Sequence, residues 1–214
     1  MPRVYFATNR DPDRQTDPRT FGGGFNPVSF DSLRFGWANV VGKTIRSVAV
    51  APEKLAAESE RAKLGSRAVF SELAAGMRKG ADTLVFIHGY NVSFEEALKT
   101  ASSLRKTYRR RSGLQVVVFS WPSDGSMLPF LAYKRDRSDA RASAAAFARA
   151  LRKLEDFLNE VRRGGECGAQ ILLMCHSMGN YVLRGGIQEV RAQRGELPRL
   201  FDHVFLMAAD EDQD

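Results

Sequence analysis

Apolar residues along this chain fall into short continuous runs, separated by longer stretches in which they recur at helical spacing. Residues 3–8 read as an opening strand, 44–50 alternate enough to form another, and 66–78 read as a helix. The pattern then sharpens: strand 83–87, helix 93–110, strand 114–120, helix 137–162, strand 170–174, helix 178–194 and strand 203–208. Residues 21–27 are glycine-rich and read as a loop. The later strands, such as Leu114-Gln115-Val116-Val117-Val118-Phe119, are unbroken apolar runs, as expected of strands buried on both faces of a parallel sheet. Joined by helix-length crossovers, they predict an α/β fold, with a mostly parallel sheet and helices on both faces. Ligands of such sheets gather beyond the carboxyl ends of the strands. With no internal repeat or low-complexity tract, residues 1–214 read as one domain. Its N-terminal strands and loops occupy 1–65, and its core strand–helix repeats occupy 66–214.

Composition narrows the class. At 214 residues, 43% hydrophobic and 27% charged, the chain supports a sizeable core. Apolar runs stay short of the roughly 18 residues a membrane span needs, and the charged N-terminus lacks a signal-peptide apolar region, so the expected location is the cytoplasm. Cys167 and Cys175 are eight residues apart, roughly 26 Å if extended, too far to pair. The net charge of +7 raises the question of a nucleic-acid partner. Its densest basic run, Arg105-Lys106-Thr107-Tyr108-Arg109-Arg110-Arg111, ends a predicted helix, where cations favour the helix dipole. No nucleic-acid-binding motif accompanies it, so neither nucleic acid nor a membrane span is expected.

The chemistry concentrates at two strand ends. Cys175-His176-Ser177-Met178-Gly179 stands between an apolar strand and a helix and reads as a nucleophile elbow, a sharp turn that lifts the Ser177 hydroxyl above the sheet. Such a turn strains the backbone and wants small residues two before and two after the serine; Gly179 meets this and Cys175 meets it in part. About ninety residues upstream, strand 83–87 runs into His88-Gly89-Tyr90-Asn91 and then a helix beginning near Ser93. In acyl-transfer enzymes of this architecture an amide from that loop joins the amide after the nucleophile to hold the oxyanion. The backbone N–H groups of Tyr90 and Met178 take those places, with His88, Gly89, His176 and Gly179 supporting the turn. No metal or other cofactor is expected.

Together with Ser120-Trp121-Pro122-Ser123-Asp124-Gly125, the closing Leu206-Met207-Ala208-Ala209-Asp210 and the opening Val4-Tyr5-Phe6-Ala7-Thr8-Asn9-Arg10, these motifs resemble a bacterial α/β-hydrolase family of uncharacterised function. Its members are usually labelled esterase- or lipase-like. The resemblance covers nearly the whole chain and implies a serine hydrolase fold without naming a substrate. It also implies that relatives continue past residue 214 with two further strands carrying the usual acid and histidine. The expectation is therefore a chain truncated at its C-terminus, lacking the last strands.

A serine hydroxyl is a poor nucleophile until a base takes its proton, and this fold orders its triad Ser, Asp or Glu, His. After Ser177 the only histidine is His203, at the start of a strand and roughly 16 Å from the active face. His176 sits on a sharp turn that points it elsewhere, and His88 is expected to brace the oxyanion loop. Asp210 ends a strand on the active face and is the candidate acid; Asp124 reads as a turn residue. The apolar loop 125–133 is the candidate acyl pocket, with Trp121, Met127 and Phe130 lining it.

The expected partner is a small-molecule ester or acyl substrate, cleaved through an acyl-enzyme on Ser177. The alternative is a catalytically silent hydrolase fold that binds a ligand or protein. Residues 204–207 as a last strand would leave an apolar open edge, so homo-oligomerisation through that strand is expected unless the chain is a fragment.

Overall fold

A computed structural model describes residues 3–14, 17–24, 33–52, 65–108, 113–123, 129–162 and 168–209. Seven of the described strands form one sheet: β1 (Arg3–Thr8), β4 (Arg34–Val41), β5 (Thr44–Val50), β6 (Asp82–Ile87), β7 (Leu114–Ser120), β8 (Ile171–His176) and β9 (His203–Met207). Their order is β5-β4-β1-β7-β6-β8-β9. The five strands from β1 to β9 are mutually parallel, while β4 and β5 add an antiparallel edge. Two short strands, β2 (Pro12–Arg14) and β3 (Asp17–Phe21), pair separately.

Alternate strand residues feed two cores. Ala7, Val85, Ile87, Val117, Phe119 and Leu173 face a cluster built with α1 (Gly65–Met77), α4 (Ala144–Arg162) and α5 (Gly179–Arg194). Phe6, Leu84, Phe86, Val116 and Val118 face the other cluster with Phe94, Ala97, Leu98 and Ala101 of α2 (Phe94–Thr107). Helices therefore cover both faces, as the unbroken apolar runs predict. The chain leaves central β6 toward β7 and returns on the other side at β8, so the order reverses there and opens a crevice at the strand ends.

Several expectations need correction. β4 is not among the strands the apolar pattern predicts, because Gly36 and Asn39 are poor strand formers. Gly36 is there because a Cβ would come within 2.2 Å of the Ala49 carbonyl oxygen and 2.5 Å of the Phe6 ring. The expected loop at 21–27 begins inside β3, whose last residue is Phe21. The single helix expected over 137–162 is two: α3 (Pro129–Ala142) and α4 meet at buried Ser143, whose hydroxyl accepts from Asn9 Nδ2 at 2.9 Å. α3 also claims residues 129–133 of the expected acyl-pocket loop, and Pro129 suits a first helical position.

β9 lies at the sheet edge with all five residues exposed, Leu206 at 59%. Among the described residues no helix is long and apolar enough to cross a membrane.

Candidate active site

Register brings the strand ends together. Ile87 is opposite both Cys175 and Phe119, Thr8 is opposite Ser120, and His176 is opposite Met207. The segments that follow these pairs, beginning at Asn9, His88, Trp121, Ser177 and Ala208, therefore emerge at one end of the sheet.

Ser177 leaves β8 with φ +50°, a left-handed conformation that a residue with a Cβ adopts at a cost of about 1–2 kcal/mol. Three bonds hold it there. Its N–H donates to the Met207 carbonyl at 2.9 Å, extending the ladder with β9, and its carbonyl accepts from Asn180 N–H at 3.0 Å and Asn180 Nδ2 at 2.7 Å. The residue is half-buried and α5 begins two residues later, so the turn leads straight into the helix's N-terminal, positive dipole end.

Two glycines set the spacing. A Cβ on Gly179 would lie 2.7 Å from both the Ile87 and His88 carbonyl oxygens, so only glycine lets α5 start against the end of β6. A Cβ on Gly89 would come within 2.9 Å of Ser177 Cβ and 3.0 Å of His176 Nδ1. The loop after β6 and the turn after β8 are thus in direct contact. Tyr90 follows, half-buried against the core, and then Asn91 with φ +54°. Beyond them Ser93 caps α2 in a reciprocal box with Glu96, and accepting from Ser93 holds the Glu96 carboxyl below its usual range.

His88 is locked into the turn. Its Nδ1 lies 2.9 Å from the Gly89 carbonyl oxygen, and its Nε2 accepts from Trp121 N–H at 3.2 Å. The proton is therefore on Nδ1. Complete burial, and then the nearby Arg10 charge, push its pKa down to about 3. A neutral ring with both nitrogens engaged by backbone leaves no lone pair for the Ser177 proton. Trp121 corrects its expectation as a pocket wall: it is fully buried, stacks on the His88 ring at 5.3 Å and 9°, and donates Nε1–H to the His88 carbonyl at 2.8 Å.

The remaining expected residues divide. His176 ends β8 exposed, next to Gly89, and His203 lies at the opposite end of β9 from Ala208. Met178, the residue after Ser177, is buried and caps α5 through its backbone. Asp210, Met127, Asp124 and Cys167 lie outside the described residues, and for Phe130 only the backbone, in α3, is described. Cys175 is buried and free, its thiol pushed up to about 12 by desolvation. Among the described residues no group of three or more His, Cys, Asp or Glu side chains is placed to hold a metal ion.

Two residues at this end were assigned no role from the sequence, although Arg10 closes the opening motif. Arg10, only 2% exposed, sends Nε to Ser120 Oγ at 3.0 Å, one terminal nitrogen to the Gly22 carbonyl at 2.9 Å and the other to the Val92 carbonyl at 2.6 Å. Asp136 of α3 is buried and accepts from Ser123 Oγ at 2.8 Å and, more weakly, from Asn91 N–H at 3.4 Å. A charged residue two positions past the apolar strand 3–8 was the available signal for Arg10; Asp136 sits in a charge-rich helix and gave none.

An apolar cavity of about 60 Å³ lies elsewhere, under α1 and α4, lined by Phe70, Leu73, Val85, Phe147 and Leu151. None of the residues at the elbow reaches it.

Comparison with known proteins finds no match among curated proteins or solved structures. A family model described as an alpha/beta hydrolase of unknown function (DUF900) matches residues 66–214, the region holding the β6 loop, the Ser177 turn and β9. The chain belongs to this family of α/β hydrolases of unknown function.

Proposed function

We propose that this chain is a serine hydrolase of the esterase type, cleaving carboxylic esters through an acyl-enzyme on Ser177. The observation that carries the reading is Ser177 at φ +50° at the end of β8, with Gly89 of the neighbouring loop packed against it. A strained serine between a strand and a helix N-terminus is the arrangement nucleophilic acyl transfer needs. Ser177 Oγ bonds to the acyl carbon as its proton passes to a base, and the carbonyl oxygen becomes an oxyanion facing the Tyr90 and Met178 amides. Collapse expels the alcohol, which takes that proton. Water then attacks the acyl-enzyme and the acid leaves.

Asp210, two residues past Ala208 at φ +43°, is the acid in this proposal. The base is not His88, whose ring is committed to the turn. A cytoplasmic location belongs to the same reading and draws support from the free thiol of Cys175; fractionation of the native cells tests it.

The engagement of His88 favours a second reading, a hydrolase fold that binds an acyl ligand or a protein without turning anything over. Hydrolysis of a short-chain p-nitrophenyl ester that disappears in Ser177→Ala supports the esterase. Thermal stabilisation by a non-hydrolysable ester analogue, with no turnover by the parent chain, supports the binder.

A further inference from the structure

We propose that Arg10 is a positioning residue for the oxyanion loop, holding the Tyr90 amide against Ser177. The proposal rests on the reading of Ser177 as nucleophile. Arg10 follows β1 by two residues, and its backbone is fixed before its side chain is considered. Thr8 Oγ1 donates to the Ser120 carbonyl at 2.6 Å and accepts from Arg10 N–H at 3.2 Å. The guanidinium then reaches three segments far apart in sequence: Ser120 at the end of β7, Gly22 beyond β3 and Val92 between the oxyanion loop and α2. The planar fork of arginine is the side chain that can serve three acceptors at fixed angles.

Val92 matters because of what lies before it. Between His88, locked by Trp121, and Val92, held by Arg10, are only Gly89, Tyr90 and Asn91. Asn91 occupies a left-handed conformation, and its N–H donates to Asp136 at 3.4 Å. The path of the Tyr90 peptide is therefore set by His88 before it and Val92 after it, with Asp136 at the Asn91 N–H between them, and Arg10 is the cation among these anchors. That charge also bears on the site, because it is one cause of the lowered basicity of His88. A buried cation beneath a loop whose amides face an oxyanion adds favourable potential where negative charge develops.

The test measures fluorophosphonate labelling of Ser177 in the parent chain, Arg10→Lys and Arg10→Gln, separating the inactivation rate from the affinity for the probe. Each variant's fold is checked by cooperative melting. Arg10→Ala is labelled with and without added guanidinium ion. The phosphonyl oxygen occupies the oxyanion position, so a displaced loop lowers the inactivation rate and leaves affinity unchanged. The expected result is a drop of about tenfold or more in both folded variants, consistent with about a hundredfold for a misplacement near 1 Å. Millimolar guanidinium, but not equal sodium chloride, then restores part of the rate in Arg10→Ala. Labelling in folded Arg10→Lys and Arg10→Gln at the parent's rate overturns the proposal. So does loss of folding in both with no guanidinium rescue, which makes Arg10 structural only. A parent chain that takes no label at Ser177 removes the nucleophile reading and this proposal with it; a labelled parent with unaffected variants removes this proposal alone.

Discussion

β8 and β9 are parallel neighbours joined by five register pairs, and each is an apolar run, yet they occupy opposite situations. β8 has β6 on one side and β9 on the other, and its Leu173 is 1% exposed; among the described residues β9 pairs with β8 alone, and its Leu206 is 59% exposed. The difference teaches that an apolar run reports an intended environment, while burial depends on which neighbours are present. It also bears on the Ser177 turn. The strained serine is at the end of the strand that is held on both sides, where neighbours can fix a conformation that costs free energy.

The largest expected effect follows from that contrast. Leu173→Ala lowers the unfolding free energy by about 2–5 kcal/mol, as truncation of a buried leucine does. Leu206→Ala changes it by about 0.5 kcal/mol or less, as expected for an exposed site. Urea unfolding of the two variants checks the pair, and equal losses would mean that β9 is covered in solution.

Acid should weaken the β6 turn next. His88 titrates at about 3 when folded and near 6.5 when unfolded, so below about pH 6.5 the unfolded chain binds a proton that the folded chain refuses. Its contribution is fully present above that range and is lost as pH falls from about 6.5 toward 3, with a slope approaching 1.4 kcal/mol per pH unit. Stability measured across that range should lose part of its slope in His88→Asn.

A smaller loss is expected from Gly179→Ala, whose Cβ meets the Ile87 and His88 carbonyl oxygens at 2.7 Å. Overpacking against backbone lowers stability by about 1–3 kcal/mol, and thermal melting reads it. The smallest effect on stability, but a visible one on association, is expected from Leu206→Lys. If β9 pairs with a second copy through its open edge, light scattering of the parent chain shows a concentration-dependent dimer that this lysine dissolves. A monomeric parent chain at high concentration contradicts self-pairing.

The parallel core and both turns of the site were legible because each rests on local signals. Unbroken apolar runs mark the strands, and Gly89 after His88 and Gly179 two past Ser177 mark where strand meets helix. β4 was not legible, because Gly36 answers to the Phe6 ring and the Ala49 carbonyl, contacts that exist only once the sheet forms. The meeting of α3 and α4 at Ser143 reflects a bond from Asn9, 134 residues away. Trp121 looked like a pocket wall because it follows a strand end, and only the fold reveals that it stacks beneath His88. Arg10 and Asp136 were given no role for a related reason: a charge past a strand end or within a charge-rich helix carries no sequence sign of its burial.

The most direct measurement is fluorophosphonate labelling of the chain followed by peptide mapping, with Ser177→Ala as control. An activated nucleophile predicts a single phosphonylated site at Ser177 that disappears in the control. An unlabelled chain, or label that persists in Ser177→Ala, would contradict it.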